Sequence, residues 1–267
     1  MVARLIHRHA ISDRVFPGSH PGCLDDIGVG DIVLFGADID AARAIRDAAH
    51  GLGETSQPAI RRLDLGDMDD PESHLPDFLA IVAGRGARSV MLGGNAELGT
   101  ALAKGFAGSS GALAPAVVLM SPQLHISPPR QPGTPALAIG TTRLVGRQEH
   151  DAWRSAGGAI LPAATFDITK LEEALTIFGA KAREALLVVD LSVVDTGYAA
   201  GATLRNVGGL SPIVTLEAVA RIRSRFEIRG LCLLNLMPER DPRGHSERIA
   251  AMIIQSVLAG HAARHAA

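Results

Sequence analysis

Aromatic side chains are scarce in this 267-residue sequence. Phe, Tyr and Trp together make up 3% of it. A protein that grips bases or sugars chiefly by stacking needs more ring surface than that. Cysteine is scarcer still, with only Cys23 and Cys232, far apart in the chain. That excludes a disulfide framework and any closely spaced zinc motif, and a reduced, cytoplasmic setting is expected. Neither charge sign dominates: 26 basic and 28 acidic residues leave a net charge of -2. No basic run exceeds a pair, so no nucleic-acid partner is expected. No apolar run approaches the roughly 20 residues that span a bilayer. The opening MVARLIHRHAISDRV has no apolar core of the signal-peptide kind, so neither a membrane partner nor a leader is expected.

What is present is aliphatic. Hydrophobic residues make up 47%, mostly Ala, Leu, Val and Ile, and the length suffices to bury a sizeable core. Short apolar runs read as strands at Asp31–Phe35, Ile60–Leu63, Ser89–Leu92, Ala116–Met120, Ala136–Ile139, Leu186–Asp190 and Gly230–Leu234. They are apolar throughout, as strands covered on both faces are. Amphipathic stretches read as helices at Ile39–Gly51, His74–Gly84, Glu97–Phe106, Arg147–Ala156, Ile168–Phe178, Ser211–Arg225 and His245–Gly260. The alternation predicts a mostly parallel sheet between helical layers, an α/β fold in a single three-layer α/β/α domain. Ser211 before Pro212 is a helix start, and Gly260 is placed to close the last helix. Ser121–Pro135 holds five prolines and must be loop. Residues 1–30 are polar, His-rich at their start and poorly periodic. They are assigned as an N-terminal arm or subunit contact, and 31–267 as the domain.

The stretch LLVVDLSVVDTG, residues 186–197, carries the functional question. A buried strand delivers Asp190 and Asp195 into a loop, with Ser192 between them. Carboxylates at a strand end are a common way to hold a hard cation.

Four segments, taken in order, resemble the ureohydrolase superfamily of arginases, agmatinases and formimidoylglutamases. VMLGGNAELGTAL (90–102) resembles its strand–Gly-Gly-Asp-His-Ser–helix element. VVLMSPQLHI (117–126) stands where the family has Asp-Ala-His-x-Asp. The 186–197 stretch, continuing to VGGLSPIVTLEAVARI, resembles Ser-x-Asp-x-Asp-x-x-Asp-Pro with its Gly-Gly-Leu loop and helix. LCLLNLMPERDPRGHSERIAAMIIQSVL (231–258) resembles the last strand, Asn-Pro loop and C-terminal helix. IVLFG (32–36), LDLGDM (63–68) and ALAIGTTRL (136–144) extend the match across the chain from about Asp31 onward.

The resemblance implies an arginase-like fold and, as the family norm, two manganese ions that bridge a hydroxide. Two metals make a nucleophile from water at neutral pH. The implied ligand positions carry other residues here. The ligand histidine falls on Ala96 and the aspartate before it on Asn95. The second motif places Ser121, Gln123 and His125 where the family has Asp, His and Asp. In the third, Asp190 is kept but its partner falls on Ser192; Asp195 matches an aspartate that is not a primary ligand. The substrate-facing glutamate of the last strand falls on Asn235, and a nearby aspartate on Cys232. A single carboxylate does not offset the dehydration of two divalent ions, so no cofactor is expected, although Asp190 and His125 with neutral oxygens leave room for a weak single-metal site.

Bland readings stand beside sharp ones. Gly93-Gly94 is better explained by a tight turn than by a phosphate cradle. His125 is expected to be a solvated loop histidine, and Cys232 a small buried residue rather than a nucleophile. A triad of Ser192, Asp190 and His125 is discounted, since spacing does not supply geometry. Asp190 is expected to accept backbone donors, Asp64 and Asp67 to anchor a turn, and residues 261–267 to fray. The favoured reading is a pseudoenzyme: a non-catalytic structural or regulatory subunit. It would form a homo-oligomer, or a mixed oligomer with an active relative. A hydrolase of amidine or guanidine C–N bonds with an altered metal site, and a small-metabolite binding module, stay open.

Overall fold

The computed structural model describes residues 6–7, 15–53, 60–108, 115–128, 134–142 and 145–264. In chain order the elements are β1 (Ile6–His7), β2 (His20–Pro21), β3 (Ile32–Gly36), α1 (Ile39–Leu52), β4 (Arg62–Met68), α2 (Pro71–Gly84), β5 (Arg88–Leu92) and α3 (Ala96–Gly108). There follow β6 (Ala116–Met120), β7 (Ala136–Thr141), α4 (Arg147–Ser155), β8 (Ala159–Pro162), α5 (Ile168–Gly179), β9 (Glu184–Asp190), α6 (Pro212–Arg225), β10 (Glu227–Leu234) and α7 (His245–Arg264).

The strands form one sheet in the order β1-β4-β3-β5-β10-β9-β6-β7-β8, with β2 also paired to β4. Every pairing is parallel except that of β1 with β4. Parallel strands require crossovers, and here helices fill most of them. One face of the sheet is covered by α1, α5, α6 and α7, through residues such as Ile45, Leu171, Ile222 and Ile254. The other is covered by α2, α3 and α4, through Phe78, Leu102 and Trp153. The three-layer α/β/α expectation is met. Two faces in need of cover explain why the central strands are apolar without alternation.

All seven helices and seven strands expected from the sequence are present, with ends shifted by a few residues. The Ser211 hydroxyl accepts the Val214 N–H at 3.3 Å, and Pro212 opens α6. The three strands not anticipated, β1, β2 and β8, are the shortest, and each lies at a flank of the sheet. Two expectations need correction. Gly260 does not close the last helix, which continues to Arg264; a glycine stops a helix only where the chain adopts a left-handed turn. Asp64 and Asp67 do not anchor a turn. They lie within β4, and Arg46 of α1 binds Asp64 through two bonds of 2.9 Å and Asp67 through one of 2.7 Å.

The same Asp64 carboxylate accepts the Phe16 N–H at 2.9 Å, and Phe16 is fully buried. Within 1–30, residues 15–21 are thereby fixed against the sheet. Among the described residues no helix is long and apolar enough to cross a membrane.

Candidate functional site

The ends of β5, β10, β9 and β6 lie side by side. These ends carry the four segments singled out above, so the topology gathers them at one edge. In open parallel sheets this C-terminal edge is where ligands are bound.

Each segment turns for a local reason. Gly93 has φ +75, and a Cβ there would stand 2.8 Å from that of Ala41, so Gly93-Gly94 serves tight turn geometry. Asn95 caps α3, its Oδ1 accepting the Leu98 N–H at 3.0 Å. Ala96 opens the helix. A Cβ at Gly99 would meet Leu234 at 2.6 Å; its absence lets α3 settle onto the end of β10.

Asp190 is 1% exposed and both its oxygens are engaged. Oδ1 accepts the Ser192 N–H at 2.8 Å, and Oδ2 accepts the Ser121 hydroxyl at 3.1 Å. The backbone donor expected for Asp190 is therefore present. Ser121 Oγ also accepts the Gln123 N–H at 3.1 Å and lies 3.2 Å from His125 Nδ1. His125 Nδ1 is 3.9 Å from Asp190 Oδ2, so the serine mediates between the two.

The Ser121 hydroxyl donates to Asp190, so a hydrogen bond between Ser121 Oγ and His125 Nδ1 takes the tautomer that carries its hydrogen on Nδ1. Burial pushes the imidazole below its ordinary range, against the opposing pull of Asp190 and Glu97. Nε2, the nitrogen which that tautomer leaves as the acceptor, is buried and has no hydrogen-bond partner among the described residues.

The expectation of a solvated His125 is corrected: its side chain is 11% exposed. Leu124 and Ile126 on either side are buried and draw the loop onto the protein. Ser192 does not join His125. Its Oγ accepts the Leu204 N–H at 3.2 Å, and its carbonyl accepts from Asn206. Gln123 is half-buried. Asn235 has φ 63; its N–H donates to the Gly94 carbonyl at 2.8 Å and its own carbonyl accepts the Thr203 N–H. Cys232 is fully buried, and burial pushes its thiol far above the usual range, which removes it as a nucleophile.

Asp195 organises the next loop, accepting the Gly197 and Gly208 N–H groups at 2.8 and 2.7 Å. Those bonds hold its carboxyl below the usual range.

The donor set at the implied ligand positions is one carboxylate, Asp190, and one imidazole, His125. A bridged pair of divalent ions draws on several anionic oxygens, so these residues do not fit it. Among the described residues there is no group of three or more His, Cys, Asp and Glu side chains placed to hold a metal ion.

Beside His125 a recess of about 700 Å³ opens between α3 and Pro76 of α2. Of the eight candidate positions, Ala96 and His125 line it, along with Glu97, Thr100, Lys104 and others. Glu97 and Lys104 escaped the sequence reading. On an amphipathic helix an i, i+3, i+7 polar stripe reads as an ordinary solvated face, and nothing local marks it as a wall.

The Arginase family model matches residues 132–260. Among solved structures, formimidoylglutamase from Bacillus subtilis superposes with a TM-score of 0.75 at 18% identity, over 95% of this chain and 94% of that one. Proclavaminate amidino hydrolase from Streptomyces clavuligerus gives 0.75 at 19% identity, over 94% and 98%. A hypothetical agmatinase from Burkholderia thailandensis gives 0.73 at 19%, over 91% and 89%. No curated protein matches the sequence.

Proposed function

We propose that this protein is a member of the ureohydrolase superfamily and works there as a non-catalytic structural or regulatory subunit; the match of residues 132–260 to the Arginase family model and the shared fold support the membership. The observation that carries this reading is the state of Asp190. It is the one carboxylate at the implied ligand positions, and both its oxygens are already bound by Ser121 and Ser192. Those bonds take up one acceptor site on each oxygen, and no second carboxylate stands at the implied ligand positions to share the charge of a divalent pair.

The substrate side supports the same reading. Asn235 supplies hydrogen bonds where a countercharge would be needed, and a guanidinium buried without one is strongly disfavoured. Assembly with itself or with an active relative gives such a chain a role. Val207, Ile213 and Tyr198 are 83%, 78% and 53% exposed along one loop-and-helix segment, and apolar exposure of that kind suits a subunit contact.

Elemental analysis of the purified protein, paired with assays of urea and ammonia release from guanidines in added manganese, tests the proposal. The expected result is no stoichiometric metal, no manganese-dependent rise in Tm and no release. Stoichiometric manganese together with product release would overturn it.

A further inference from the structure

The segment that leads from β9 into α6 holds large apolar side chains in water on a fixed frame. Three of the eight large apolar residues left exposed among the described residues, Tyr198, Val207 and Ile213, lie on it. Asp195 builds the frame. Its Oδ1 accepts the Gly197 N–H and its Oδ2 the Gly208 N–H, so one carboxylate clasps two limbs of the loop. Tyr198 follows the first glycine and Val207 precedes the second, which sets both side chains beside the clasp. The Thr196 N–H donates to the Asn206 carbonyl and the Leu210 N–H to that of Val193, each at 2.9 Å. The Asn206 side chain donates to the Ser192 carbonyl at 2.9 Å.

A loop tied in this way loses little freedom when something docks on it, and preorganisation of that kind favours binding. Charge on the same loop points to what covers it. Arg205 is exposed and forms no ion pair among the described residues. Asp195 uses one acceptor site on each oxygen for its glycine donors, which leaves others free. The loop therefore carries one available cation and one available anion beside its apolar side chains. Such a surface is complementary to itself when turned about a two-fold axis, because each copy then offers the other what it lacks.

We infer that residues 195–213 form a two-fold contact with a second copy of this chain, in which Tyr198, Val207 and Ile213 pack on their counterparts and Arg205 of each copy pairs with Asp195 of the other. The inference deepens the subunit role proposed above and rests on that reading. Asp195 acts here as a positioning residue that holds both limbs of the loop, and it also supplies the charge that meets Arg205. The contact uses none of Asp190, Ser192 or Asn235.

The test is sedimentation of the full chain across a concentration series, repeated on surface variants. A concentration-dependent dimer is expected. Val207→Asp and Ile213→Asp, both changes at exposed positions that leave the core untouched, are each expected to weaken association at least tenfold with the far-ultraviolet circular dichroism unchanged. Arg205→Gln and Asp195→Asn are each expected to weaken it about fivefold, and the double variant little more than either, as coupled partners do. An Asp195 that served only its own loop would give losses that add. A chain that stays monomeric throughout, association unmoved by Val207→Asp and Ile213→Asp, or additive losses at Arg205 and Asp195 would overturn the inference. Metal content and urea release are separate readouts, so failure here leaves the non-catalytic reading to stand or fall on those.

Discussion

Ser121 Oγ lies 3.1 Å from Asp190 Oδ2, and the two side chains are 0% and 1% exposed. A hydroxyl therefore satisfies the carboxylate where the family resemblance would have placed a second carboxylate. Ser121→Ala removes the donor and leaves the charge buried with one oxygen unpaired. A loss of about 1–3 kcal/mol is expected in urea unfolding. Ser121→Asp should cost more at neutral pH, because two buried carboxylates then face each other. One of them acquires a folded pKa above its unfolded value, so stability should recover as pH falls. The difference between the two variants should narrow from pH 7.5 to pH 5.

His125 provides a pH signature of its own. Its folded pKa lies below the ordinary 6.5 because of burial. The unfolded chain then binds a proton that the folded chain does not, so stability is full above about 6.5 and is lost as pH falls toward the folded value. Tm recorded from pH 7.5 to pH 5 should fall further in the wild type than in His125→Gln, which carries no such proton.

The two thiols should behave differently. Cys232 is fully buried with its thiol pushed upward, while Cys23 is half-exposed. A disulfide-exchange reagent at pH 8 should modify Cys23 in the native protein and reach Cys232 only in denaturant. Rapid modification of both in buffer would contradict the packing of β10.

The Arg46–Asp64 pair fixes α1, β4 and the segment at Phe16 together. Asp64→Ala removes two of the three carboxylate bonds of Arg46, leaving it Asp67 and the Gly66 carbonyl, and strands the buried Phe16 N–H. A loss of about 1–3 kcal/mol is expected, read as a lower urea midpoint. Replacing Arg46 with Met, Asp64 with Leu and Asp67 with Asn together should cost less than the sum of Arg46→Met and Asp64→Ala, because no charge of the network is then left unpaired.

The elements visible in the sequence were those with a strong period or a strong stop. The apolar runs of β6, β9 and β10 and the Ser211-Pro212 start of α6 announce themselves locally. β8, with AILP running into a turn, is four residues long and carries too little pattern to stand apart from loop. Asp64 and Asp67 look like turn acids because LDLGDM contains a glycine. Their partner, Arg46, is 18 and 21 residues away, and no local rule connects them. At the site, the residue types at Ser121, His125 and Asp190 were legible. That they bond to one another was not, because their contact depends on β6 and β9 being neighbours and on a loop fold that spacing alone does not encode.

Asn235 holds a backbone angle of φ 63, in a region that asparagine enters readily and that larger side chains enter at a cost of about 1–2 kcal/mol. Its main chain is clamped on both sides, to Gly94 and to Thr203. Swapping in a glutamate would thus set the new carboxylate on a twist of chain that resists it. Anyone seeking to engineer cation recognition into this edge would have to reshape the path from Leu234 to Leu236 first, and choose the side chain afterwards.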